Sequence, residues 1–233
     1  MLEAQPRMAP WQQDIPHSWT ANRLRTGELA YERIKRALDF TLALALLILI
    51  SPLMAAIAIA IKLDSPGPVL FVQRRTGRYG KPFSFFKFRS MSTGEDHSAV
   101  HREFLRSYAN GNGHGVNKPR SNGRVITRVG KWLRLYSLDE LPQLWNIVRG
   151  DMSFVGPRAW ADYELENYKD WHFRRLEVLP GLTGLAQISG RSSLSFDNII
   201  RLDIEYIDHR SLWFDLSILA KTAPVVLKGS DAA

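Results

Sequence analysis

The chain has 233 residues and a mass of 26.6 kDa, room for one substantial domain or one domain with an appendage. It has no cysteine, which excludes disulfides, thiolate zinc sites, cysteine nucleophiles and iron–sulfur clusters and suits a reducing compartment. Thirty-one Lys and Arg against 23 Asp and Glu leave a net charge of +8, pointing to an anionic partner: nucleic acid, acidic lipid or a phosphorylated small molecule.

Residues 1–30 read as a polar tail, interrupted by Pro6, Pro10 and Pro16 and lacking a sustained apolar period. No secretory signal is visible, because the first apolar block starts too late and has no small-residue cleavage site. That block, Phe40 to Ile61, is 22 residues without a charge, long enough to cross a hydrocarbon core of about 30 Å as a helix. The mean hydropathy of −0.19 averages it away. A buried core helix would be shorter and carry a polar face, so the block reads as membrane-inserted.

Ser51-Pro52 falls at the midpoint of the block, where proline removes a helix hydrogen bond and crowds the preceding turn. Both flanks are basic, with Arg33, Lys35 and Arg36 before the block and Lys62, Arg74, Arg75, Arg78 and Lys81 after it. A simple span biases positive charge toward its cytoplasmic end. A helix broken at Ser51-Pro52 that enters and leaves by one face satisfies both observations, and a single-pass anchor is the alternative. The chain thus divides into a tail (1–30), a membrane-inserted segment (31–62) and a domain of soluble character (63–228).

Within that domain, Val69 to Val72 and Phe83 to Phe88 read as short strands joined by a basic hairpin with Gly77 and Gly80 at its turn. Ser98 to Tyr108 reads as a helix and Ala109 to Gly123 as a flexible loop. Helices are expected at Lys131 to Leu135, Leu138 to Val148, Trp160 to Val178 and Phe196 to Asp208. His97 and His101 are spaced i, i+4, but no Glu follows His97 as a zinc-protease motif requires, and a solvated helix face is the better reading.

The stretch richest in chemistry is Ser137-Leu138-Asp139-Glu140-Leu141-Pro142. Serine followed three residues later by glutamate is a capping box. Equally, adjacent carboxylates suit a nucleophile and a magnesium ligand, since magnesium commonly takes one or two carboxylates plus substrate phosphates. Gly150 to Arg158 follows as a tight loop ending in an arginine suited to clamping a phosphate. Pro180 to Gln187 and Gly190-Arg191 repeat the theme, without the Lys-Ser/Thr pair of a Walker loop.

Together these pieces resemble the bacterial sugar transferase family, the monotopic phosphoglycosyl transferases that begin glycoconjugate assembly on a polyprenyl phosphate. The matching segments run in family order: Lys35 to Asp39, the Ser51-Pro52 block, Gly67 to Gly77, Lys87 to Met91, Thr127 to Gly130, Ser137 to Leu144, Gly150 to Arg158, Pro180 to Gln187, Gly190-Arg191 and Leu202 to Tyr206. They cover nearly all of the chain beyond the tail.

The resemblance implies a helix-rich α/β monotopic membrane protein: a re-entrant helix broken at Ser51-Pro52, then a catalytic domain with short strands and interfacial amphipathic helices on the cytoplasmic face of a bacterial inner membrane. It implies transfer of a phospho-sugar from a UDP-sugar to undecaprenyl phosphate with release of UMP. Asp139 would be the nucleophile and Glu140 the magnesium ligand. Arg89, Arg128, Arg158 and Arg191 would meet phosphates, with Pro157 beside Arg158. Lys35, Arg36 and Asp39 would lie near the polyprenyl phosphate, and Asp203 and Tyr206 would line the site or support it. Where the family has Pro-Arg-Pro, this chain has Pro157-Arg158-Ala159. Inner-leaflet lipids and a second copy of the chain are implied partners, and nucleic acid is not. The length is expected to hold the catalytic core without the transmembrane bundle of larger members. A non-enzymatic, membrane-anchored basic module for anionic lipid or nucleic acid is the competing reading; it leaves the Asp139-Glu140 pair unexplained.

Overall fold

The computed structural model of the chain describes residues 26–92, 126–190 and 194–227. The expected helix at Ser98 to Tyr108, the loop at Ala109 to Gly123, His97, His101 and Arg191 lie outside the described residues.

Helix α1, Thr26–Asp64, is 39 residues long and contains the apolar block. The helix runs through Pro52 without the expected interruption. The reason is local: Pro52 has no N–H for the carbonyl of Ile48 four residues earlier, and the Ser51 hydroxyl donates to that same carbonyl at 2.8 Å. Leu42, Leu44, Ile48, Leu49, Leu53 and Ile59 are exposed along the helix. It is packed on the rest of the fold at its middle and near its C-terminal end. Ala43, with Leu46, Leu47 and Ile50, packs into the main core beside Phe85, Ile147, Phe154 and Tyr206. Ile57 and Ile61 form a second core with Phe88 and Leu133.

Strands β1 (Leu70–Thr76) and β2 (Pro82–Phe88) form the expected hairpin, with Leu70 opposite Phe88 and Thr76 opposite Pro82. Its turn places Tyr79 in the left-handed region at φ 56°. Helix α2 is Arg128–Leu135 and helix α3 is Gln143–Arg149. Between them, the expected single helix at Leu138 to Val148 is divided into a 3₁₀ turn (Leu138–Glu140) and α3, with Pro142 capping α3 at a position where its missing N–H is harmless.

Beyond α3 come β3 (Ser153–Val155), β4 (Trp160–Ala161) and β5 (Gly181–Thr183). β3 and β5 are parallel, while β4 extends the hairpin by pairing with Arg75 and Thr76 of β1. The helix expected at Trp160 to Val178 is instead β4 followed by two 3₁₀ stretches, Asp162–Asn167 and Asp170–Glu177. The buried residues of the second stretch explain the difference. His172 with Arg175, and Phe173 with Leu176, recur at a spacing of three, the period of a 3₁₀ helix. Helices α4 (Leu185–Ile188), α5 (Phe196–His209) and α6 (Leu212–Leu227) complete the fold, the last unforeseen from the sequence.

Glycine is required where β3 and β5 meet. A Cβ on Gly181 would collide with the backbone N and O of Gly156, so the two segments approach at a distance that only glycine allows.

Candidate active site

The Asp139-Glu140 pair lies on the 3₁₀ turn after α2. Ser137 enters that turn in the left-handed region at φ 55° and its side chain caps no N–H, so the capping box is not formed. Leu138 and Leu141 instead anchor the turn on the core around Ile57, Ile61 and Leu133, which leaves the two carboxylates to turn toward β2. Lys87 of β2 meets them there: its Nζ is 2.7 Å from Glu140 Oε1 and 3.6 Å from Asp139 Oδ2. Arg158 approaches from the loop after β3, with Nη1 4.0 Å from the same Glu140 oxygen.

The two carboxylates are driven apart in acidity. Burial pushes both up. For Glu140, the cations Lys87, Arg158 and Arg75 outweigh burial and hold it down to about 2. For Asp139 burial wins over Lys87, and the neighbouring Glu140 charge adds to it, so this carboxyl sits above the ordinary aspartate range. One ionised anchor and one more basic, nearly buried carboxylate side by side suit a metal ligand next to a nucleophile.

The supporting residues are specific. Asn146 of α3 is fully buried and holds β2 against α3, donating to Ser84 O at 2.6 Å and accepting from Phe86 N at 3.2 Å. That fixes Lys87, the next residue, over the acidic pair. Arg75 stacks its guanidinium 4.1 Å from the Phe85 ring and donates to Gln73 Oε1 and Ala159 O.

Several residues expected at phosphates are engaged elsewhere. Arg89 is buried, and its guanidinium closes the end of α1 by donating to Pro66 O (2.8 Å), Ser65 O (2.7 Å) and Ser65 Oγ (2.9 Å). Arg128 is exposed at the start of α2, whose first turn is capped by Asp64 Oδ2 on Val129 N at 3.0 Å. Lys35, expected near the lipid phosphate, pairs with Asp215 at 2.7 Å. Arg36 donates to Ile147 O and Val148 O at the C-terminus of α3, and Asp39 Oδ1 accepts from Phe154 N at 3.3 Å. Ser51 and Pro52 are exposed in the middle of α1. Asp203 forms a buried ion pair with Arg175, and the Tyr206 hydroxyl lies 2.7 Å from Asp215 Oδ1 and 3.1 Å from Val155 O, so both support the Pro157-Arg158 loop from behind.

The structure therefore gathers Asp139, Glu140 and Arg158 and adds Lys87 and Arg75. The signal for Lys87 is its alternation with Phe85, which puts both on one face of β2. Asn146, Arg175 and Asp215 carry no sequence signal of their own.

A family model described as bacterial sugar transferase matches residues 30–229. The chain belongs to that family. Among its members it is 40% identical over 231 residues to a UDP-glucose:undecaprenyl-phosphate glucose-1-phosphate transferase of Caulobacter vibrioides, covering 94% of this chain and 80% of that protein. It is 41% identical over 204 residues to the Escherichia coli protein of the same name, covering 84% of this chain and 40% of that one. It is 40% identical over 199 residues to the galactosyl transferase CpsE of Streptococcus agalactiae, covering 85% of this chain and 43% of that one. The chain thus spans about two fifths of the length of the last two relatives.

Magnesium has a chemically suitable place at the pair. Glu140 is ionised and only partly buried, and Asp139 adjoins it. No group of three His, Asp or Glu side chains able to enclose a metal is present among the described residues. Such a donor set fits an ion that takes one or two carboxylates and completes its shell with substrate phosphate and water.

Proposed function

We propose that the chain transfers a phospho-sugar from a UDP-sugar to undecaprenyl phosphate, forming undecaprenyl-diphosphate-sugar and UMP. The observation that carries this is the Asp139-Glu140 pair facing Lys87 and Arg158 in a bacterial sugar transferase, whose relatives bear the names of undecaprenyl-phosphate sugar phosphotransferases.

An Asp139 carboxylate oxygen attacks the β-phosphorus. The bond from that phosphorus to the bridging oxygen breaks, and UMP leaves with the electron pair. A phosphate oxygen of the lipid then attacks the same phosphorus and Asp139 departs as a carboxylate, so one site serves two acceptors in turn. Lys87 holds the Asp139 charge in place, and Arg158 and Lys87 offset the charge on the diphosphate. Glu140 would hold magnesium, which when bound would supply further neutralisation of charge on that diphosphate.

The membrane geometry follows from α1, the one described helix long and apolar enough to cross a bilayer. Its Lys35 end and its Asp64 end are both held by polar groups of the same domain. A straight helix of this length would be about 58 Å long, almost twice a hydrocarbon core. A true span would carry one of those polar contacts to the far side, so α1 enters the cytoplasmic leaflet without crossing it, both ends kept on the side of the domain. Exposed Trp132, Trp145 and Trp213 on α2, α3 and α6 suit an interfacial position beside it.

The test is UMP release from a panel of UDP-sugars with undecaprenyl phosphate and magnesium, using protein in lipid nanodiscs. Asp139→Asn is expected to abolish turnover. Full turnover in that variant would remove Asp139 as nucleophile. Silence of the unaltered protein with every sugar, together with steeply salt-dependent lipid binding, would favour a non-enzymatic module instead.

A further inference from the structure

Arg158 reaches the acidic pair from a half-exposed position, and its nearest acidic partner there is 4.0 Å away. Its aim therefore depends on its backbone. That backbone is held at three successive carbonyls. Pro157 O accepts from Gly181 N at 2.8 Å, Arg158 O accepts from Arg175 Nη2 at 2.9 Å, and Ala159 O accepts from Arg75 Nη1. The first tie belongs to a parallel bridge between Arg158 and Gly181, just beyond β3. The other two come from guanidinium groups.

Arg175 is the more constrained of these. It is 2% exposed, as is Asp203, which accepts from the same Nη2 at 2.6 Å. Nη1 donates to Tyr168 Oη at 2.5 Å, and the guanidinium lies 4.3 Å from the centre of the Trp160 ring. Acceptor, counter-ion and stacking surface leave the fork one orientation, and that orientation directs an N–H at the Arg158 carbonyl. A buried ion pair of this kind contributes little stability beyond what an apolar pair of equal volume would. Its distinguishing property here is direction. The same tie suits a chain with Ala159 after the arginine, where no proline ring stiffens the loop.

We propose that Arg175, oriented by Asp203 and Tyr168, is a positioning residue that sets Arg158 onto the diphosphate of the donor substrate. This rests on the phosphoglycosyl-transfer reading. Arg175 touches neither the substrate nor the carboxylates; it acts through Arg158 alone.

A double-mutant cycle on UMP release tests it. Arg175→Lys keeps the charge but loses the fork, and is expected to raise KM for the UDP-sugar about tenfold with kcat changed less, because a misplaced binding group weakens donor capture. In an Arg158→Ala background the same substitution is expected to change KM less than about twofold, since the group it positions is gone. Equal factors in both backgrounds, or a fall in kcat with KM unmoved, would overturn the proposal. If Arg175→Lys does not fold, Asp203→Asn is measured in both backgrounds against the same criteria. An unaltered protein that releases no UMP would sink the transferase reading and this proposal with it. An active protein with a non-coupled cycle sinks the positioning role alone.

Discussion

Arg89 separates two accounts of the same residue. A phosphate-binding arginine and a helix-closing arginine both lose function on substitution, but in different measurements. Arg89→Met keeps the aliphatic stem and removes the guanidinium. Three short hydrogen bonds, to Pro66 O, Ser65 O and Ser65 Oγ, disappear, with a longer one to Ile61 O at 3.4 Å. Each buried acceptor left without a donor costs about 1–3 kcal/mol. The losses are not additive, because the acceptors share one donor group and removing a buried charge refunds part of its desolvation. A net loss of about 3 kcal/mol follows, which for a chain of this size lowers Tm by about 6–12 °C. The assay is thermal unfolding in nanodiscs beside the KM for UDP-sugar at a temperature where the variant is folded. The expected pattern is a lowered Tm with KM within about twofold of the unaltered protein. A KM raised tenfold at unchanged Tm would show that Arg89 serves phosphate and that its place at the end of α1 is incidental.

Other outcomes follow from the same geometry. Lys87 lowers the pKa of Asp139 against burial, and the proposed attack requires that carboxylate ionised, so activity is expected to rise with pH through the Asp139 range. Lys87→Met should move the acid limb of kcat/KM to higher pH by about one to three units, and an unmoved limb would refute the contact's role. Glu140, held to about 2, stays ionised over the same range and does not set the limb. Gly181→Ala drives a Cβ into the Gly156 backbone, and is expected to lose about 2–3 kcal/mol in unfolding measurements; a wild-type Tm would contradict the close approach. In this cysteine-free chain, Arg33→Cys and Lys62→Cys flank the apolar block at exposed positions. Both are expected to react with an impermeant maleimide only from the cytoplasmic side, and labelling of the two from opposite sides would establish a span.

The legible parts of the fold were those carried by local pattern. Alternation and turn glycines placed the hairpin, and an unbroken apolar run placed α1. Ser137 to Glu140 was misread as a capping box because the pattern cannot report that Ser137 takes φ 55° and turns its hydroxyl away from the helix. The two carboxylates were legible as a pair, and their unequal acidity was not, since it depends on Lys87 arriving from 52 residues upstream of Asp139. The surroundings of Arg89 and Arg128 were illegible for a related reason. A cation's partner is decided by tertiary packing, and in this fold the end of α1 claims Arg89 before any phosphate arrives. Arg175 left no trace in the sequence because its significance is one hydrogen bond to a main-chain oxygen.

The contacts of α1 bear on what a membrane anchor does here. Its C-terminal end carries one half of the site: Ile57 and Ile61 underlie Leu138 and Leu141, Asp64 caps α2, and Ser65 and Pro66 receive Arg89 from the strand that bears Lys87. Its N-terminal end carries the other half: Asp39 takes the Phe154 N–H, Arg36 caps α3, and Lys35 with Tyr31 holds Asp215, which holds Tyr206 on Val155 O, two residues before Pro157. Asp139 and Arg158 are thus suspended from opposite ends of one helix. Between those ends Ala43, Leu46, Leu47 and Ile50 still pack on the core, while Ser51, Pro52 and Leu53 are exposed. A change at Pro52 therefore reaches the proposed site only through the packed residues on either side of it, without touching Asp139 or Arg158. An anchor that only tethered the domain would need one docked end; the second makes α1 part of the scaffold of the proposed site.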